Sequence, residues 1–124
     1  MTQEKFRAFI NAAIQKTKSG GLSWERVNLL HFKQSAWPDY DLSRSFVCHY
    51  ANGRMLLAYE VNSDTPCCFI SPDKSLPFQE LILHDDSCAL LLRLYNLVYD
   101  AFPSVESFMD AMINSNDDQK DPPF

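Results

Sequence analysis

Glycine is scarce in this chain of 124 residues, occurring only at positions 20, 21 and 53. Phosphate-cradling loops and dinucleotide fingerprints need several glycines in one short turn, where the backbone must approach the ligand, so nucleotide chemistry is disfavoured. No Gly-x-Ser-x-Gly elbow occurs, and the serines fall mainly where caps and turns are expected, which argues against serine-based hydrolysis. Paired Cys-x-x-Cys and His-x-x-x-His spacings are also missing. His31, His49, His84 and the cysteines therefore lack the pattern that announces a structural zinc site. No apolar run approaches the roughly 18 to 20 residues of a membrane helix. The N-terminus begins an amphipathic pattern instead of the basic, then apolar, run of a secretory signal. Together these absences predict a cytoplasmic protein with no cofactor, no metal and no membrane partner.

Cys48, Cys67, Cys68 and Cys88 form an even set, but a chain with 46% hydrophobic residues does not need disulfides to fold. They read as reduced thiols. Cys67 and Cys68 are neighbours, which on a strand point to opposite faces, a poor arrangement for chelation. Cys88 comes nearest to a nucleophile because it lies in the first turn of a helix, where the dipole favours thiolate. The adjacent Asp85 and Asp86 oppose that effect. Paired carboxylates at Asp85 and Asp86, or Asp39 and Asp41, are accounted for by capping and loop solvation, and no catalytic pair emerges.

The net charge of −5 hides an asymmetry. Residues 1–55 carry eight Lys/Arg against four Asp/Glu, and residues 56–124 carry three against twelve. The acidic half repels phosphate backbones and the basic residues are dispersed, so nucleic acid is not an expected partner.

What is present specifies a fold. Phe6, Phe9, Ile10, Ala13 and Ile14 recur at spacings of three and four, predicting a helix with Thr2 as its N-cap and Gly20-Gly21 as its stop. Leu22 and Trp24 alternate with polar residues as in a short strand, followed by an irregular excursion whose aromatics Phe32, Trp37 and Tyr40 cover a core edge. Asn52-Gly53 marks a two-residue hairpin turn, with Ala51 opposite Arg54 and Tyr50 opposite Met55. One face of this hairpin then carries Phe46, Cys48, Tyr50, Met55, Leu57 and Tyr59, and is the core face. The other carries Val47, His49, Ala51, Arg54, Leu56 and Ala58, and is only half apolar.

Further strands are expected at Cys67 to Ser71 and Phe78 to His84. A helix capped by Asp85 or Asp86 follows, and after Pro103 another capped by Ser104 with Val105, Phe108, Met109 and Met112 on one face. The expected architecture is a single α+β domain over residues 1–113. It has an N-terminal helix, an antiparallel meander of four to five strands and two C-terminal helices packed on one face. Residues 114–124 read as a mobile acidic tail.

Missing catalytic motifs, an acidic half and spare apolar surface point to a small non-catalytic protein-binding module of adaptor, chaperone or inhibitor type, suited to a basic partner. The candidate binding residues are Val47, His49, Arg54 and Leu56 on the second hairpin face, with Trp37 from the excursion. Two other classes remain open. One is a small-molecule-binding domain or minor enzyme with a pocket lined by Trp24, Trp37, Tyr50 and Tyr59. The other is a homodimer formed through sheet edges or through the face around Leu56.

Overall fold

The N-terminal helical repeat folds as α1, Gln3–Ser19, with Phe6, Ile10, Ala13 and Ile14 buried along one stripe. Thr2 Oγ1 accepts from the Lys5 amide at its start. Gly20 ends it at φ +83°, a left-handed conformation that glycine takes without steric cost. The computed structural model describes residues 2–115, and most of the acidic tail, residues 116–124, lies outside them.

After α1 the chain forms β1 (Trp24–Arg26), a 3-10 turn (Gln34–Ala36), β2 (Tyr40–Tyr50), β3 (Gly53–Glu60), β4 (Thr65–Ser71) and β5 (Gln79–Leu81). It ends with α2 (Asp86–Asp100) and α3 (Val105–Ile113). The strands lie in the sheet in chain order and pair antiparallel throughout, giving an α+β meander. The long strands are interior, and the edges, β1 and β5, are only three residues each. Short edges offer little unpaired backbone to another chain.

The hairpin forms where Asn52-Gly53 predicts, but its register differs. Tyr50 pairs with Gly53, His49 with Arg54, Cys48 with Met55 and Phe46 with Leu57, so Ala51 and Asn52 are the central turn residues. Ala51 takes the positive φ, +53°. Partners are displaced by two residues from the expected pairing, and because side chains alternate with a period of two, every residue keeps its face.

Gly53 is needed for a different reason from turn geometry: a Cβ there would lie 2.5 Å from the Ser71 carbonyl oxygen and 2.9 Å from that of Pro72. Both obstacles are backbone. Gly53→Ala is therefore expected to cost about 1–3 kcal/mol, the range for overpacking a tight site. Urea denaturation checks this: the midpoint should fall with an unchanged slope, and a wild-type midpoint would refute the close approach.

Further along, the β2–β3 pairing shifts between Asp41 and Phe46. Ser45, fully buried at this irregularity, repairs the broken ladder by donating to the Asp41 carbonyl (2.8 Å) and accepting from the Tyr59 amide (3.0 Å).

Two hydrophobic clusters sandwich the sheet. On the first face Phe46, Cys48, Met55, Leu57 and Tyr59 join the buried stripes of α1 and of α2, the latter supplying Leu91, Leu94, Tyr95 and Val98. Tyr95 Oη donates to the Arg44 carbonyl at 2.6 Å, satisfying its hydroxyl inside this core. Asp85 occupies the N-cap position of α2 but makes no side-chain capping bond. On the second face Val27, Leu42, Val47, Leu56, Ala58 and Phe69 form a smaller core, covered by Phe32, Trp37, Tyr40 and Phe78. The protein is thus layered as helices, sheet and aromatic loop.

Candidate functional site

The aromatic cover decides what becomes of the second hairpin face. Trp37 packs edge-on to Phe69 (5.1 Å between centroids), Tyr40 (5.7 Å) and Phe78 (6.2 Å), and Phe32 lies 5.9 Å from Phe78. Gln34 holds the loop down, with its amide nitrogen donating to the carbonyls of Trp37 (2.8 Å) and Tyr40 (2.5 Å). Leu56 is consequently 0% and Val47 4% exposed. These two side chains belong to a closed core, not to a docking surface, and Leu56 is not available to a second copy of the chain. Trp37 serves the same cover.

The four aromatics considered for one pocket are divided by the sheet. Trp24 and Tyr59 belong to the helical face, where Trp24 Nε1 donates to Thr17 Oγ1 at 2.9 Å, whereas Trp37 lies on the opposite face. Tyr50 is exposed near the end of the hairpin.

The polar members of the predicted set meet at the open end of the cover. His49, Arg54 and the flank of Val47 line a cleft of about 620 Å³ together with Glu25 and Arg26 of β1 and Asn28, His31 and Phe32 of the following turn. His49 Nε2 lies 3.4 Å from Glu25 Oε1. Arg26 donates to the Pro103 carbonyl at 2.6 Å and lies over the Phe102 ring, which holds its guanidinium on the helical face of the sheet, so only its backbone and stem border the cleft. Arg54 lies over Phe78 with its guanidinium carbon 4.5 Å from the ring centroid, and its Nε is buried without an acceptor among the described residues. The sequence marked His49 and Arg54 by their place on a half-apolar face. Glu25, Asn28 and His31 were missed because only the tertiary fold brings their turn beside the hairpin. The Asn28 side chain shapes that turn by accepting from the Leu30 amide (2.9 Å), a local pattern that a lone Asn does not announce.

A second cleft, about 330 Å³, is lined by Cys67, Cys68 and Cys88 with Leu81, Leu83 and Leu91. Burial pushes the Cys67 thiol up to about 11, with Glu60 and Glu80 adding to the effect, and burial also raises Cys68. Both are protonated at neutral pH, which is unsuited to nucleophilic attack. Among the described residues no cluster of three or more His, Cys, Asp or Glu side chains is placed to hold a metal ion. No described helix is long and apolar enough to cross a membrane.

The feature furthest from sequence expectation is α3. Its Ser104 cap is complete, with Ser104 Oγ accepting from the Ser107 amide (3.0 Å) and Ser107 Oγ from the Ser104 amide (2.8 Å). Yet none of its residues is buried. Glu106, Ser107 and Asp110 face the end of α2, lining a small cleft with Tyr99 and Phe102. The apolar stripe faces solvent: Val105 is 78%, Phe108 64%, Met109 53%, Met112 58% and Ile113 74% exposed. No Lys or Arg occurs between Arg93 and Lys120, a stretch that includes Asp100, Glu106 and Asp110. No protein-family model, curated protein or solved structure matches the chain.

Proposed function

We propose that this chain is a small protein-binding module that holds the basic, amphipathic segment of a partner protein on the outward face of α3. The observation that carries the reading is the unburied apolar stripe of that helix. Exposed apolar residues scattered singly are normal, but Val105, Phe108, Met109, Met112 and Ile113 lie within one helix of nine residues. An isolated helix shorter than about 12–15 residues is marginal in water. Its stability must come from packing, and its own domain supplies little of it. Burying each such side chain against a partner is worth about 1.5–3 kcal/mol.

Methionines suit a surface that must fit a partner's side chains, because their unbranched thioethers repack readily. Charge selects the partner. With acidic residues and no cation on the helix, a second copy would bring like charges together, whereas Lys or Arg flanking an apolar stripe would be attracted.

The test uses a synthetic Leu/Lys amphipathic helical peptide, its scrambled isomer and a Leu/Glu counterpart, titrated into the full chain. Saturable binding of the Leu/Lys helix alone is expected. Phe108→Ser combined with Met112→Ser should abolish it while shifting stability by no more than about 0.5 kcal/mol, as for exposed positions. Equal binding of the scrambled peptide, or undiminished binding by the double variant, would refute the reading. So would a dimeric mass in light scattering that the double variant returns to 14.3 kDa, since the occupant would then be a second copy.

A further inference from the structure

We infer that the cleft between β1, the turn after it and the β2–β3 hairpin binds a small oxyanion, carboxylate or phosphate, carried on an apolar body, with Arg54 as its anchor. This site is separate from α3 and does not depend on the docking role of that helix.

The first observation is the state of Arg54. Its guanidinium is half-buried and stacked on Phe78, and among the described residues it forms no hydrogen bond and no ion pair. A desolvated charge without an acceptor is costly, and a planar fork of donors matches a carboxylate or phosphate. Since Nε is shut off from solvent, the terminal guanidinium nitrogens are the donors left for an incoming anion.

The local charge is the second observation. In a chain of net charge −5, the one carboxylate lining this cleft, Glu25, is engaged by His49, which leaves Arg54 without an acidic partner there. Arg26 borders the cleft through its backbone and stem only, since its guanidinium is held on the helical face by the Pro103 carbonyl and the Phe102 ring. An arginine without an acidic partner disfavours a metal ion or a cationic ligand beside it.

Shape supplies the third. At about 620 Å³ the cleft falls within the roughly 300–1,000 Å³ typical of small-molecule sites. Phe32 and the flank of Val47 give an apolar wall for the body of the ligand, and Asn28 and His31 stand at the rim for further polar contact. An aryl or alkyl acid fits this combination better than a bare ion.

The experiment titrates phenyl phosphate, benzoate and inorganic phosphate into the isotopically labelled full chain at constant ionic strength, with chloride as the control. Saturable shifts of the Val47, His49 and Arg54 resonances are expected with phenyl phosphate or benzoate, each tighter than inorganic phosphate. The tighter of the two identifies the acid class. Arg54→Gln should weaken binding about tenfold or more, the loss expected for a charge-assisted hydrogen-bonded contact. If that variant does not fold, His31→Ala, at an exposed rim position, should still weaken the organic acids. Shifts that grow linearly without saturating, that map to α1 instead, or that match the chloride control overturn the assignment. Wild-type affinity in a folded Arg54→Gln does the same.

Discussion

Replacing Phe46 by alanine is expected to destabilise the protein by about 3–5 kcal/mol, the range for truncating a buried aromatic. Phe46 is fully buried where β2 meets α2, with its ring 4.9 Å from that of Phe102, 5.9 Å from Tyr95 and 6.3 Å from Tyr99. The removed ring leaves a cavity that those neighbours cannot readily fill, because Tyr95 is tied by its hydroxyl to the Arg44 carbonyl and stacked on Tyr99 at 5.9 Å. Against a total of about 5–15 kcal/mol for a domain, such a loss is a large share. Leu56→Ala on the opposite face should cost about 2–5 kcal/mol. That companion measurement reports on the aromatic cover, since an exposed leucine could be truncated almost without effect. Urea midpoints at constant slope measure both, and a cost below about 0.5 kcal/mol at Leu56 would show the second face to be open.

Alkaline unfolding should begin well before the backbone itself is challenged. Burial raises the Cys48 thiol from 9.0 to about 11 and also raises fully buried Cys68, with Cys48 and Cys67 nearby adding to the shift at Cys68. Burial likewise lifts Tyr95 and Tyr40 from 10.0 to about 12. Each group keeps its proton in the folded state at a pH where the unfolded chain has released it. The unfolded state then binds fewer protons, so stability must fall as pH rises. The neutral thiols leave stability unaffected below pH 9.0, and the decline runs from there to about pH 11 for Cys48. Cys48 and Cys68 each contribute a slope of up to about 1.4 kcal/mol per pH unit. Urea midpoints measured from neutral pH to about pH 11 should trace this fall, and Cys48→Ala with Cys68→Ala should flatten it. A wild-type midpoint that stays level across the window would contradict the burial of these thiols.

Local signals in the sequence located most of the elements. The α1 stripe, the Thr2 and Ser104 caps and the Gly20 stop each rest on near neighbours, and each is present. The hairpin shows where such signals stop. Asn-Gly favours a central turn pair because both residues tolerate positive φ, but Gly53 is required beside Ser71 and Pro72, and that crossing moves the turn to Ala51-Asn52. The face assignment survived because the displacement is an even number of residues.

The candidate site was legible only in part for a related reason. The second hairpin face is half apolar because Val47, Leu56 and Ala58 lie under the loop cover while His49 and Arg54 stand at its open end. Phe32, Phe69 and Phe78 are too widely and irregularly spaced to form a periodic pattern, so their convergence on Trp37 is visible only in three dimensions. In α3 the stripe itself was plain. A stripe specifies that something apolar covers it, but its residues do not say whether that cover is the same chain.

The contact between α1 and α2 also sets the order in which the molecule can be completed during synthesis. Neighbouring strands are adjacent in sequence, so the meander can zip while it emerges from the ribosome. α1 leaves first, yet Ile10 and Ile14 are buried in a core that includes Leu91, Leu94 and Val98. The helical face of the sheet therefore lacks half of its cover through most of translation, an exposed apolar surface until α2 arrives to close it.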